Sequence, residues 1–264
     1  SSIEPRKRTA ASHSSFVRST TPPPLPFGFP TFDVLPTAGF ARCGGRDVGA
    51  ARKRLPVLRK RFGDGAERQP VREEDATAPT SPYGETKLVF ENVLRWYERA
   101  YGLRAISLRY FNAAGCTRKF GEHHWQETHL IPNVLRVALG QSPHVNIYGT
   151  DYPTPDGTAV RDYVHIVDLA QAHILALGVE KSDVFNLGNG DGYSVQQVVE
   201  AARKVTGHLI PTVESPRRAG DPPKLVGDST KIRKQLGWRP QYGSIEAILD
   251  SAWQWHKTHP TGYA

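Results

Sequence analysis

Tyr83 and Lys87 lie four residues apart in Ser-Pro-Tyr-Gly-Glu-Thr-Lys, residues 81–87. Residues at this spacing share one face of a helix, so the phenol and the ammonium would point in the same direction. A nearby ammonium favours the ionised phenol and lowers its pKa from about 10, which suits a general base. Because the same spacing is common on surface helices, its chemical meaning depends on the surrounding residues.

The residues around this pair predict a helix that is followed by a strand. Ser81 is placed to cap the helix, Pro82 suits its first turn, and Gly102 is placed to end it. The apolar positions of the helix are Leu88, Val89, Val93, Leu94, Trp96 and Tyr97. Residues 103–110 then mix alternation with an apolar centre, as a buried strand does, so the segment favours α/β architecture.

Further along the chain, apolar patterns predict helices and strands in alternation, with no internal repeat. The predicted helices lie near residues 130–139, 167–177, 194–205, 230–236 and 245–256. The predicted strands lie at residues 145–148, 163–165 and 184–187. The glycine-rich run at 188–192 joins a strand to a helix, and we interpret it as a structural turn because one such run is a weak phosphate-loop signal.

Composition narrows the class of protein. The 264 residues suffice for one or two domains, and no apolar run approaches the length of a membrane span. The cysteines, Cys43 and Cys116, form neither a disulfide framework nor a metal site, so we expect no metal and a reducing cytoplasm. The N-terminus lacks the apolar core of a secretory signal.

The net charge of +8 is confined to the first quarter of the chain. Residues 1–70 hold 13 Lys and Arg against 5 Asp and Glu, whereas the remaining residues hold 21 of each sign. Residues 1–62 are rich in Pro, Ser, Thr and Arg and predict an atypical, basic, disordered or non-native segment. Two minority interpretations remain for this segment. One is a tail that binds nucleic acid, although the segment lacks the interleaved aromatic residues that would support it. The other is a transit-like leader.

Seven blocks from residue 81 onward carry a more specific signal. In order they are Ser-Pro-Tyr-Gly-Glu-Thr-Lys at 81–87, Leu-Arg-Tyr-Phe-Asn-Ala-Ala-Gly at 108–115, Tyr-Gly-Thr-Asp-Tyr-Pro-Thr-Pro-Asp-Gly-Thr at 148–158, Val-Arg-Asp-Tyr-Val-His at 160–165, Asn-Leu-Gly-Asn-Gly at 186–190, Pro-Arg-Arg-Ala-Gly-Asp at 216–221 and Leu-Gly-Trp at 236–238. With these blocks, residues 63–264 resemble the UDP-glucose 4-epimerases, extended short-chain dehydrogenase/reductases. The third and fourth blocks separate this family from generic dehydrogenases and disfavour the nucleotide-sugar dehydratases.

The resemblance implies the late part of a Rossmann-type parallel sheet, without its early strands, and a smaller C-terminal substrate domain. It implies NAD as cofactor and UDP-glucose and UDP-galactose as the interconverted substrates. In such a mechanism Tyr83 takes the proton of the sugar C4 hydroxyl while hydride moves to NAD, and Lys87 lowers the tyrosine pKa and holds the nicotinamide ribose. Family members are often homodimers through a helix pair that includes the Tyr-Lys helix, so a homodimer is a possible assembly.

The resemblance also assigns site residues. Tyr83 and Lys87 would be catalytic and would bind the cofactor together with Phe111. The implied substrate-binding residues are Asn112, His129, Leu130, Asn146, Ile147, Tyr148, Arg161, Arg218, Asp221 and Leu225. Guanidinium groups match the geometry of phosphate oxygens, so Arg161 and Arg218 can clamp a diphosphate; the alternative is an ion pair with Asp162 or Asp221.

Two departures from the family pattern affect activity. The Gly-x-x-Gly-x-x-Gly turn after a first apolar strand is absent, and Leu58 stands where the family carries a catalytic hydroxyl. Together with the absence of methionine, these features predict a fragment with a reading-frame break near residue 62 and little activity. An uninterrupted in-frame gene with an upstream start codon would contradict the break. The remaining alternatives are epimerisation of UDP-N-acetylhexosamines or UDP-pentoses, and a non-catalytic remnant with a basic tail.

Overall fold

The computed structural model describes residues 54–56 by their backbone and residues 68–79 and 81–263 in full. All of them belong to one compact unit, Ala50–Ala264. The helices are α1 Pro82–Tyr101, α2 Leu130–Ala138, α3 Ile166–Ala176, α4 Val195–Thr206, α5 Thr230–Leu236 and α6 Ile245–Thr258. The strands are β1 Arg54–Pro56, β2 Arg104–Tyr110, β3 Asn112–Ala114, β4 Val145–Tyr148, β5 Val160–Arg161, β6 Tyr163–His165, β7 Asp183–Leu187, β8 Tyr193–Ser194, β9 Thr212–Ser215 and β10 Lys224–Leu225.

The helix predicted around Tyr83 and Lys87 is α1, and its ends form as the sequence predicts. The Ser81 hydroxyl oxygen accepts the backbone N–H of Gly84 at 3.2 Å, which satisfies one of the free donors at the helix start. Gly102 ends the helix in the left-handed conformation, with φ at 64°. Most of the apolar side chains of α1 are exposed rather than packed against the sheet: Val89, Phe90, Val93, Trp96, Tyr97 and Tyr101.

The central sheet is parallel, with strand order β1-β2-β7. Leu108 on β2 and Phe185 on β7 are completely buried, and helices α3 and α5 cover the same core with Leu169 and Ile232. This arrangement confirms the expected α/β class with a parallel sheet. The sequence analysis placed no strand at 54–56, which pairs with β2 although it lies inside the segment 1–62. Leu58 lies outside the described residues, and the domain boundary at 62 stays a prediction.

A second hydrophobic core lies between helices α2, α4 and α6. Val134 and Leu135 of α2, Val198 of α4 and Ile248 of α6 are completely buried in it. Ser194 starts α4 with a capping box, because its hydroxyl accepts from the Gln197 backbone and the Gln197 side chain accepts from the Ser194 backbone. The chain therefore builds a second, mainly helical core, distinct from the core of the sheet. The smaller C-terminal substrate domain stays a prediction.

A buried ion pair fixes α1 on the sheet. Arg109 on β2 donates from Nε to Oε1 and from Nη2 to Oε2 of Glu91 on α1, both at 2.8 Å. Its Nη1 also donates to the Glu73 carbonyl oxygen at 3.3 Å. Because both side chains are buried, this two-point contact sets the position of the helix that carries Tyr83 and Lys87.

Asp162, between β5 and β6, joins three separate segments. Its carboxylate accepts backbone N–H groups from Asn189 at 2.9 Å, Gly227 at 3.1 Å and Gly190 at 3.3 Å. Burial raises the pKa of this carboxyl to about 6, against the opposing effect of the three N–H donors. The contact fits the interpretation of residues 188–192 as a structural turn.

Within the described part of the chain, no helix is both long and apolar enough to cross a membrane.

Candidate functional site

A cavity of about 570 Å³ lies where β3, β4 and β5 meet the start of α2 and the segment around residue 218. The sequence-predicted residues that line it are Asn112, His129, Leu130, Asn146, Tyr148, Arg161, Arg218 and Asp221. These eight residues come from stretches up to 109 positions apart, from 112 to 221, and the fold brings them to one cavity. The volume is in the range of pockets that hold organic ligands.

Arg161 is the most deeply buried cation of the cavity wall. Its Nη1 donates to the Val160 carbonyl oxygen at 2.8 Å, and its Nη2 lies 3.2 Å from Oδ1 of Asp221. That Nη2 is buried and makes no hydrogen bond, although the ion pair is close. The ion pair expected as the alternative for Arg161 is therefore formed with Asp221. A buried guanidinium with unused N–H capacity is well suited to an anionic oxygen in the cavity.

Arg218 and Tyr148 form a second polar wall. The Arg218 guanidinium lies over the Tyr148 ring, 4.1 Å from its centroid, a cation–π contact that holds the arginine at the cavity. On β4 the burial alternates, so Asn146 and Tyr148 are exposed at the cavity while Ile147 is buried on the opposite face. The side chain of Ile147 therefore does not join the other predicted residues.

Asn112 has a fixed orientation in the wall. Its Nδ2 donates to the Asp162 carbonyl oxygen at 3.0 Å, and its backbone N–H donates to the same oxygen at 3.0 Å. Asp162 in turn holds the backbone of residues 189, 190 and 227. Contacts with the backbone, and not with solvent-exposed side chains, therefore fix the orientation of the Asn112 side chain at the cavity.

His129 precedes α2 and lies between two carboxylates. Its Nδ1 is 2.9 Å from Glu122 Oε1 and 2.8 Å from Glu127 Oε1. The hydrogen bonds to Glu122 and Glu127 raise the pKa of His129 to about 9, despite the opposing effect of burial. The sequence analysis selected His129 but missed both carboxylates. The repeated Glu-x-His spacing at 122–124 and 127–129 was the available signal.

Tyr83 and Lys87 lie close together but do not line the cavity. The Lys87 Nζ is 4.9 Å from the centroid of the Tyr83 ring, so the predicted common face is present. Tyr83 is 50% exposed. Two further predicted residues are buried: Phe111 and Leu225 pack together with Val71 in a small apolar cluster. The cavity thus collects eight of the thirteen predicted site residues, without Tyr83, Lys87, Phe111, Ile147 and Leu225.

Residues 54–56, 68–79 and 81–263, which the structure describes, do not form a complete dinucleotide site. Tyr83 and Lys87 lie on α1, but the sequence has no Gly-x-x-Gly-x-x-Gly turn after a first apolar strand. That turn lets the backbone approach a pyrophosphate at a helix N-terminus. The guanidinium groups of Arg161 and Arg218 at the cavity are of the kind that binds phosphate oxygens.

Comparison with known proteins identifies the family. A family model described as GDP-mannose 4,6 dehydratase matches residues 60–250. The chain belongs to the extended short-chain dehydrogenase/reductase family. Within this family its sequence is similar to a UDP-glucose 4-epimerase of Halalkalibacterium halodurans, with 52% identity over 201 residues, 74% of this chain and 60% of the relative. A UDP-glucose 4-epimerase of Lacticaseibacillus casei is 51% identical over 200 residues, 74% of this chain and 60% of the relative.

Solved structures of this extended family have the same fold. The UDP-glucose 4-epimerase of Bifidobacterium longum, in complex with NAD+ and UDP, gives a TM-score of 0.76 at 38% identity, covering 80% of this chain and 65% of that chain. The UDP-glucose 4-epimerase of Brucella ovis, in complex with NAD, gives a TM-score of 0.71 at 40% identity, covering 76% of this chain and 63% of that chain. The resemblance found in the sequence and the Rossmann-type fold are confirmed. The chain spans about 60% of the length of the curated relatives it matches.

Proposed function

We propose that the cavity is the UDP-sugar site of a UDP-glucose 4-epimerase, a protein that interconverts UDP-glucose and UDP-galactose. One observation carries the proposal. Eight residues selected from the sequence for contact with a nucleotide sugar converge on a single cavity, and two of them are arginines held in place by protein contacts. Leu225 is buried away from the cavity, so it gives no reason to prefer N-acetylated sugars over the simple hexoses.

The arginines explain why the ligand would carry a diphosphate. Arg161 is positioned by Asp221 and the Val160 carbonyl, and Arg218 is positioned by the face of Tyr148. Two prearranged guanidinium groups bind phosphate oxygens at a low entropic cost, because the side chains are already ordered before the ligand arrives. The exposed Asn146 and Tyr148 of β4 then provide polar and aromatic contacts for a base.

The cofactor of the proposed reaction is NAD, which accepts hydride from the sugar and returns it. Tyr83 and Lys87 retain the spacing and the common face that the reaction requires of a base and its activating cation. The sequence lacks the Gly-x-x-Gly-x-x-Gly turn that would hold the pyrophosphate of NAD. We propose that this chain binds UDP, does not retain NAD and does not catalyse turnover of UDP-galactose.

A homodimer and a cytoplasmic location are proposed as well. The exposed apolar side chains of α1, including Phe90, Val93 and Trp96, support contact with a second copy, because exposed apolar patches commonly mark interfaces. The presence of only two cysteines supports a reducing compartment. Light scattering during size-exclusion chromatography tests the first proposal, since a monomeric mass at micromolar concentration would contradict it.

The decisive experiment is calorimetric titration of the purified chain with UDP, combined with measurement of bound NAD and of UDP-galactose turnover. We expect UDP binding that weakens about tenfold or more in Arg161→Met and in Arg218→Met, because each loses a charge-assisted hydrogen bond. Arg99→Met is the matched control, since Arg99 lies over Trp96 on α1 and not at the cavity.

The outcomes separate the competing functions. UDP binding in the absence of bound NAD and of UDP-galactose turnover supports the assignment of the cavity to UDP. The same result supports the interpretation of this chain as a non-catalytic remnant. Absence of UDP binding, or equal weakening in the Arg99 control, would contradict the assignment of the cavity. Tightly bound NAD with turnover would show that the dinucleotide seat is complete despite the missing glycine-rich turn.

A further inference from the structure

The segment between β3 and α2 gathers four side chains with metal-binding atoms. Glu122, His124, Glu127 and His129 each offer one carboxylate oxygen or ring nitrogen, and these four atoms lie within 4.8 Å of one another. The spacing is short, with all four residues in eight consecutive positions of a segment without regular secondary structure. Two imidazoles and two carboxylates form a mixed nitrogen and oxygen donor set of the kind that binds zinc.

The distances are compatible with a shared ion. Glu122 Oε1 is 3.0 Å from His124 Nε2 and 2.9 Å from His129 Nδ1, and Glu127 Oε1 is 2.8 Å from the same Nδ1. Zinc binds such atoms at about 2.0–2.2 Å, so neighbouring ligands of a tetrahedral ion are separated by about 3.3 Å. These three separations are a few tenths of an ångström shorter than that value, and all four atoms lie within 4.8 Å of one another, so small side-chain shifts would place them around one ion.

The segment that carries these side chains is held by contacts outside the cluster. The Tyr263 hydroxyl accepts the Gly121 N–H at 2.8 Å and lies 2.9 Å from the Gly121 carbonyl oxygen. Glu127 Oε1 accepts the backbone N–H groups of Thr128 and His129 at 2.8 and 2.7 Å, and only 2% of the Glu127 side chain is exposed. Such support fixes one ligand before an ion arrives.

A second observation points to an occupant near the two carboxylates. A smaller cavity of about 120 Å³ is lined by Glu122, His124 and Glu127 together with His256 of α6. The Nε2 atom of His256 is buried and makes no hydrogen bond. Buried polar atoms are nearly always paired, so this nitrogen marks a position where a water or another polar ligand belongs.

We propose that Glu122, His124, Glu127 and His129 bind one Zn²⁺ ion. Four protein ligands close a tetrahedral site, which is the arrangement of structural zinc. The ion would fix the segment 122–129 and the start of α2, and through His129 it would stiffen one wall of the large cavity. The zinc site shares His129 with the proposed UDP-sugar site, but Zn²⁺ binding itself does not require that assignment. The proposal replaces the expectation of no metal, which considered only cysteine ligands.

The test uses the full chain without an affinity tag, first freed of metal with a chelator. Equilibrium dialysis against Zn²⁺ measures stoichiometry and affinity, and the visible absorption of bound Co²⁺ reports tetrahedral coordination. We expect one site per chain, weakened at least tenfold in His124→Ala and in Glu127→Gln. We also expect Zn²⁺ to raise the melting temperature of the wild type and not that of His124→Ala.

His208→Ala is the matched control, because His208 is an exposed histidine whose Nδ1 donates to the Thr206 carbonyl oxygen and which is absent from the cluster. This variant should retain the affinity of the wild type. His124 is only half-buried, so its replacement keeps the test valid even if Glu127→Gln fails to fold. Unchanged binding in His124→Ala, an equal loss in His208→Ala or the absence of any tight site would overturn the proposal.

Discussion

The ion pair between Glu91 and Arg109 gives a sharp prediction about stability. The Arg109 side chain is 3% exposed and that of Glu91 is 2% exposed, and two hydrogen bonds of 2.8 Å join them. Glu91→Gln keeps the volume of the side chain but leaves the guanidinium buried without its counter-charge. We expect this variant to lose about 3–5 kcal/mol of unfolding free energy, the usual cost of breaking a buried pair from one side.

The magnitude follows from the asymmetry between breaking and replacing such a pair. Desolvation of two ions offsets much of their attraction, so removing both charges costs far less than removing one. The double variant Glu91→Leu, Arg109→Met should therefore lose at least about 3 kcal/mol less unfolding free energy than the sum of the losses of the two single variants. The Arg109 bond to the Glu73 carbonyl is lost in both arginine variants and cancels in this comparison.

Urea unfolding, followed by circular dichroism and tryptophan fluorescence, measures these free energies. Glu98→Gln is the control, because it makes the same change on the same helix at a half-buried position, and it should change stability by less than about 0.5 kcal/mol. A loss below about 1 kcal/mol in Glu91→Gln would refute the reasoning, since a buried and uncompensated guanidinium costs more than an exposed one. Additive single losses in the double variant would refute it as well.

Two further predictions concern a buried carboxyl and a turn. Because burial raises the pKa of Asp162 from 3.8 to about 6, the folded state holds this proton more tightly than the unfolded state, and stability falls as pH rises through that window. Between pH 4 and 7 the wild type should lose about 2 kcal/mol relative to Asp162→Asn in urea unfolding, and a constant difference would contradict this. At Gly157 φ is +74° and a Cβ would lie 2.1 Å from the Thr150 carbonyl oxygen, whereas at Gly140 φ is +71° with open space around it. Gly140→Ala should cost about 1–2 kcal/mol and Gly157→Ala clearly more, and equal losses by the same assay would show that the close contact relaxes.

Local signals predicted the long elements well. Helix α1 begins at its cap and ends at Gly102 because the free N–H and C=O groups at helix ends are satisfied by nearby residues. The two-residue strands β5, β8 and β10 escaped prediction, since a run that short has no periodicity. They exist because β5 lies between partners brought to it by distant parts of the chain.

The sequence by itself determined the family, the common face of Tyr83 and Lys87, and most of the substrate-site candidates, because ordered blocks and helical spacing are local properties. Only the tertiary structure decided which candidates share a cavity, since that depends on the packing of strands and helices far apart in the chain. It also decided that Arg109 lies against Glu91 and that Glu122 and Glu127 surround His129. A charged side chain that is removed from water needs a specific counter-charge or hydrogen-bond partner, and this burial exists only once the chain has folded.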